Sequence, residues 1–177
     1  MFVAHQLKDK NICEYLLYMW QVEDTIRAFG FDVERLQEGY LSRFEYDEPK
    51  MKQLVEWYDN LITMMREEGV MEKGHLQMNK GTMILLNDMH LEALDDPKAP
   101  FYSAAYYKAL PYIVELRAKG GGDKPEVETC LDALYGVVML RLQKKDVSKD
   151  TLVAVDAITH LLALLSKRWN EERINRG

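Results

Sequence analysis

Apolar residues recur along this chain at intervals of three and four, and no convincing run of the strict alternation that marks a half-buried strand competes with them. Read together with start and stop residues, that period predicts seven helices. The first spans about residues 12 to 29: Asn11 is placed to cap it, Glu14 completes a capping-box-like spacing, and Gly30 suits the left-handed turn that ends it. A short second helix is capped by Asp32. The third opens at Asp47, Glu48 and Pro49, carries Met51, Leu54, Val55, Tyr58, Leu61, Ile62 and Met65 on one face, and stops at Gly69. The fourth covers about His75 to Leu94 and ends before Pro97, since the residue ahead of a proline disfavours helix.

The fifth helix begins near Pro100 and reaches Lys119, ahead of Gly120, Gly121 and Gly122, with Pro111 inside it as a kink. Tyr102, Ala105, Tyr106, Ala109, Ile113 and Leu116 fill one side, while Ala104, Tyr107, Val114 and Ala118 line much of the other. Only Lys108, Glu115 and Lys119 form a polar strip, so this aromatic-rich helix is expected to be mostly buried. The sixth starts with Asp123, Pro125 and Glu126 and ends near Lys144. The seventh starts at Ser148, carries Leu152, Val155, Ile158, Leu162, Leu165 and Trp169, and frays from about Asn170 to Gly177. Its apolar arc also takes in Leu161 and Leu164, wide enough to pack between helices or to meet a second copy. The expected fold is all-α: a single-domain bundle over residues 1 to 177, with about six or seven mostly antiparallel helices.

Composition narrows the class. With 177 residues and 47% hydrophobic content, one core suffices, and disorder is not expected beyond the termini. Residues 1 to 10 contain no apolar run of signal length, and no stretch approaches the roughly 18 uncharged residues of a membrane span. A cytoplasmic protein with no membrane association is expected. Cys13 and Cys130 are too few and too far apart for a disulfide framework or a zinc site. Residues 1 to 100 carry 11 basic and 19 acidic groups, the remainder 12 and 10, which opposes nucleic acid as a partner.

Three constellations offer chemistry. Glu72 and His75 have the Glu-x-x-His spacing of di-iron bundles, but His5, His90 and His160 lack the acidic residue three positions upstream that a second copy requires; no metal is expected. Asp156 and His160, four apart, share an arc with Thr159, Ser166, Lys167 and Asn170, and read as a solvated pair. The third set is polar residues within apolar stripes: Glu23 with Arg27 on the first helix, Asn79, Asn87 and His90 on the fourth, and Arg141 on the sixth. A buried charge without a partner costs several kcal/mol, so these groups must find one another, water or a ligand. One outcome is internal pairing, of Glu23 with Arg27 or Arg141 and of His90 with an asparagine, Tyr102 or Tyr106. The other is a small interhelical pocket bounded by Glu23, Arg27, Asn79, Asn87, His90, Tyr102, Tyr106 and Arg141. Walker, Gly-x-Gly-x-x-Gly, Gly-x-Ser-x-Gly and Cys-x-x-Cys motifs are absent from the sequence, and no cofactor is implied.

The blocks EYLLYMWQVED (Glu14 to Asp24), FYSAAYYKALPYIVELR (Phe101 to Arg117) and LDALYGVVMLRLQKK (Leu131 to Lys145) resemble a full-length domain-of-unknown-function family of small helical proteins from Bacteroidetes-type bacteria. The resemblance implies an all-helical cytoplasmic bacterial protein and brings no activity, ligand or catalytic residue with it. The expected function is therefore a non-enzymatic helical interaction or regulatory protein, with a homodimer or another protein as its partner. A small-molecule binder or enzyme using the interhelical pocket is the alternative.

Overall fold

The computed structural model describes residues 1–120 and 122–176, and among them the chain is helical with no strand. Eight α-helices follow one another: α1 (Phe2–Lys10), α2 (Ile12–Ala28), α3 (Val33–Gly39), α4 (Glu48–Glu67), α5 (Gln77–Asp95), α6 (Pro100–Gly120), α7 (Glu126–Leu142) and α8 (Lys149–Arg176), with one 3-10 turn at Leu41–Arg43. The all-α fold is as the periodicity indicates, with one helix more. α1 was not legible: its apolar residues Phe2, Val3, Ala4 and Leu7 fill barely two turns before Asn11 takes an extended conformation. That residue ends one helix and starts the next, its Oδ1 accepting from the Cys13 and Glu14 amides and from the Ser166 hydroxyl of α8.

Stop signals act through backbone geometry. Gly30 and Gly69 both adopt left-handed φ values of 68°, and the next residues, Phe31 and Val70, donate back to Ile26 and Met65, closing the helix ends in the Schellman manner. Gly39 is required for space, because a Cβ there would lie 2.6 Å from the Phe29 ring.

One continuous core holds the helices together. Ile12, Leu16, Met19, Trp20 and Ile26 of α2 and Ile158, Leu161, Leu162 and Leu165 of α8 are buried in it, with Leu86 of α5, Ile113 of α6 and Leu131 of α7. α8 touches α1, α2, α5, α6 and α7, most extensively α6, so Ile158, Leu161, Leu162 and Leu165 of its wide apolar arc are buried inside the bundle while Leu152 is exposed. It also continues as helix to Arg176 instead of loosening from Asn170, because Asn170 and Arg173 bond to the Lys10 and Lys8 carbonyls at the end of α1. α4 sits to one side against α2 and α3. Among the described residues no helix is long and apolar enough to cross a membrane.

α6 departs most from expectation. It runs as helix through Pro111. Tyr102, Ala105, Ala109 and Ile113 are buried as predicted, but Ala104, Tyr107, Pro111, Val114 and Ala118 are all exposed, Tyr107 by 68% and Val114 by 58%. This helix is therefore half uncovered, not mostly buried, because α5, α7 and α8 approach it from the other side only. Gly121, in the glycine run expected to end it, and Gly177, the expected end of the tail, lie outside the described residues.

Candidate functional site

The polar residues set into the apolar stripes form two separate clusters. In the first, Glu23 is fully buried on α2 and faces the start of α5. Its Oε1 accepts from the Leu76 amide at 3.0 Å and from Asn79 Nδ2 at 2.7 Å, and its Oε2 lies 2.6 Å from His75 Nδ1. α5 has no side-chain cap of its own, and its first amide groups are satisfied instead by Glu23 and by Glu68, which accepts from Gln77 at 2.6 Å. Negative groups are favoured at this end of a helix by the aligned peptide dipoles.

The segment between α4 and α5 is held to the same place by further contacts. The His75 ring stacks on Trp20 with centroids 4.3 Å apart. Arg27 binds Asp24 at 2.7 Å and donates to the Val70 and Gly74 carbonyls, while the Tyr135 hydroxyl of α7 donates to the second oxygen of Asp24 at 2.6 Å. Trp20 in turn meets Tyr135 edge to face at 5.6 Å. Burial and the nearby Asp24 carboxylate push the Tyr135 hydroxyl well above its ordinary range, which keeps it a donor.

The second cluster lies about 16 Å further along α5, eleven residues at the helical rise. His90, 1% exposed, is bonded through Nδ1 to the Tyr102 hydroxyl of α6 at 2.6 Å and through Nε2 to Glu126 of α7 at 3.2 Å. Tyr106 donates to the other oxygen of Glu126 at 3.3 Å, and Arg117 stands 3.7 Å from that same oxygen. Burial lowers the pKa of His90 against the opposing pull of Glu126, so the ring is held neutral. A neutral ring has one proton to give, so the partners fix its tautomer: Nε2–H donates to Glu126 and Nδ1 accepts from Tyr102. Burial also raises the Tyr102 hydroxyl far above its ordinary value, so it remains a protonated donor rather than a nucleophile.

The eight residues expected to bound one pocket thus do not share one. Glu23 and Asn79 meet in the first cluster, and Arg27 stands at its edge, tied to Asp24 rather than to Glu23. His90, Tyr102 and Tyr106 meet in the second, where the expected bond from His90 to Tyr102 is present. Asn87 is half-buried beside Ile84 and Pro125, and Arg141 is exposed, because it lies in the last turn of α7 where the helix leaves the core. The sequence reading missed His75, Asp24, Tyr135, Glu126 and Arg117 as members. Glu126 was visible only as a helix-start residue, and His75 as a helix start and as a partner of Glu72, since nothing local reveals which distant helix a first-turn carboxylate or a loop imidazole will touch. Glu72 is exposed and takes no part with His75, and Asp156 and His160 flank a surface groove with Lys108 and Tyr112. Among the described residues no group of three or more His, Cys, Asp or Glu side chains is gathered where a metal ion could sit.

Both cysteines are buried, and desolvation pushes each thiol up to about 12. Their thiolate fraction at pH 8 is negligible, so an Ellman titration of the native protein is expected to register neither thiol over an hour and both within minutes in guanidinium; rapid native reaction at either one would contradict this burial.

What remains unused by the fold is the outer face of α6, where Ala104, Tyr107, Pro111, Val114 and Ala118 form an apolar stripe about four turns long in contact with solvent. α5 also exposes Ile84, Leu85 and Leu91, but Asp88 and Glu92 interrupt them. On α6 no charge breaks the stripe, and Lys108 and Glu115 lie along its edge.

The chain belongs to the family described as Domain of unknown function (DUF4924), which it matches over residues 1–176. No curated protein and no solved structure matches it.

Proposed function

We propose that the protein is a non-enzymatic helical interaction protein that self-associates through the outer face of α6. The observation that carries this reading is the uncharged stripe from Ala104 to Ala118, which displays a tyrosine and a valine to water while the face of Tyr102, Ala105, Ala109 and Ile113 is packed. A contiguous exposed apolar surface rimmed by charge is the usual mark of a contact site, and Tyr suits such a place because its ring buries area while its hydroxyl stays solvated. The interior polar groups support the same reading. Glu23 bonds to His75 and Asn79, His90 bonds to Tyr102 and Glu126, and these bonds serve to place α2, α5, α6 and α7.

Sedimentation velocity over about 1 to 100 μM, the range of modest interfaces, tests it. The full chain is expected to dimerise with rising concentration, and the double variant Tyr107→Lys, Val114→Glu to stay monomeric with unchanged helical circular dichroism. A wild-type chain that is monomeric throughout, or a variant that dimerises equally well, overturns the reading.

A further inference from the structure

Resting on that reading, we infer that two copies of α6 pack antiparallel about a two-fold axis passing between the levels of Tyr112 and Ile113, so that Lys108 of each copy meets Glu115 of the other. The stripe at 104, 107, 111, 114 and 118 has spacings of three and four in turn, an average of 3.5. That is the period at which one helix keeps a continuous seam against another. Lys108 and Glu115 follow the seam residues Tyr107 and Val114 and form one edge; Ser103, Leu110 and Arg117 precede the others and form the opposite edge.

Direction follows from these edges. In a parallel pair unlike edges meet, which places Lys108 beside Ser103 and Glu115 beside Leu110, with no ion pair formed. In an antiparallel pair each edge meets its own copy, and the edge that carries one positive and one negative group complements itself. Register follows as well. Shifting the pair one heptad one way sets Lys108 against Lys108, and one heptad the other way sets Glu115 against Glu115. Between them lies the register in which both Lys108–Glu115 contacts form. The same register sets Tyr107 against Ala118 and Pro111 against Val114, so the largest seam side chain faces the smallest. Charge and volume were not chosen together, yet they select the same alignment. Glu115 already takes Lys119 on Oε1 at 2.6 Å, and a carboxylate has a second oxygen to offer.

Charge reversal tests the contact. Lys108→Glu and Glu115→Lys are each expected to weaken the dimer by roughly tenfold, since each places like charges together at two symmetric points, and the double variant to recover most of the loss. Both positions are exposed, so the fold is untouched. Disulfide trapping reads direction independently, because the native thiols are buried. Ala118→Cys alone is expected not to cross-link, while an equal mixture of Tyr107→Cys and Ala118→Cys chains does. A dimer that ignores both reversals, fails to recover in the double variant, or cross-links through Ala118→Cys alone overturns the antiparallel register and leaves self-association standing. A chain monomeric at every concentration removes both.

Discussion

Glu23→Ala is expected to be among the most destabilising single substitutions in the chain, costing about 4 kcal/mol, because it strips partners from the Leu76 amide, the Asn79 side chain and the His75 ring together. Each buried donor left unsatisfied loses on the order of 1–3 kcal/mol, and the shape left behind cannot close without moving α5. For a chain of this size the expected fall in Tm is about 10 °C. Glu23→Gln is the informative companion. Its carbonyl oxygen still accepts from Leu76 and Asn79, and its amide can donate to His75 once that ring carries its proton on the other nitrogen, so the loss should be about a third as large. Thermal melts of the two variants decide the matter. Equal losses would mean that the negative charge of the carboxylate, which the equally sized amide lacks, carries the stabilisation rather than side-chain volume or neutral hydrogen bonding. Hydrogen exchange should show faster opening of the first turn of α5 in the alanine variant, with α4 little changed.

How much of this was legible depends on the range over which each feature is encoded. Helices set by an apolar stripe and a local cap, such as α4 with Asp47 and α2 with Asn11, were readable because every determinant lies within a few residues. α5 was placed two residues early, since its cap comes from Glu23, 53 positions before Leu76, and no local signal marks that. That Glu23, Asn79 and His90 are buried could be read from their positions in the stripes; what they bond to could not, because partner choice depends on helix packing. Arg141 failed on the same ground in the opposite sense. Its stripe is genuine, but α7 carries it past the end of the core, so an inward-facing position meets water.

α6 shows why a pattern apolar all round admits two meanings. Such a helix is either enclosed or left open for a partner, and the sequence of one chain contains the same residues in both cases. Here the packed side holds Tyr102, Ala105, Ala109 and Ile113, with small residues that let α8 approach closely, whereas the open side presents Tyr107 and Val114. Which of the two apolar sides is covered and which is left to solvent is what the fold adds to the sequence.

The second large effect is expected at His90 and depends on pH. Tyr102 of α6 and Glu126 of α7 are its bonded partners, with Tyr106 packed against the ring and Arg117 behind Glu126. Burial depresses its pKa below the ordinary 6.5 in the folded protein. Above that value both folded and unfolded chains hold the ring neutral, and His90 adds no pH dependence. As pH falls through 6.5 the unfolded chain takes up a proton that the folded chain refuses, so stability declines by up to about 1.4 kcal/mol per pH unit and levels off only below the depressed folded value. Urea denaturation of the wild type and of His90→Gln between about pH 7.5 and 5 measures the difference. The glutamine can hold one of the two bonds and cannot titrate, so its stability is expected to start about 2 kcal/mol lower at pH 7.5, from the lost partner, and to fall less steeply with acid. The other three histidines and every carboxylate are common to both proteins, so the divergence of the two curves reports His90 alone. Parallel curves would show that burial does not perturb the ring, and a wild type that gains on the variant as pH falls would show that the ring is charged in the native state and that its bond to Glu126 is an ion pair that outweighs the cost of burial.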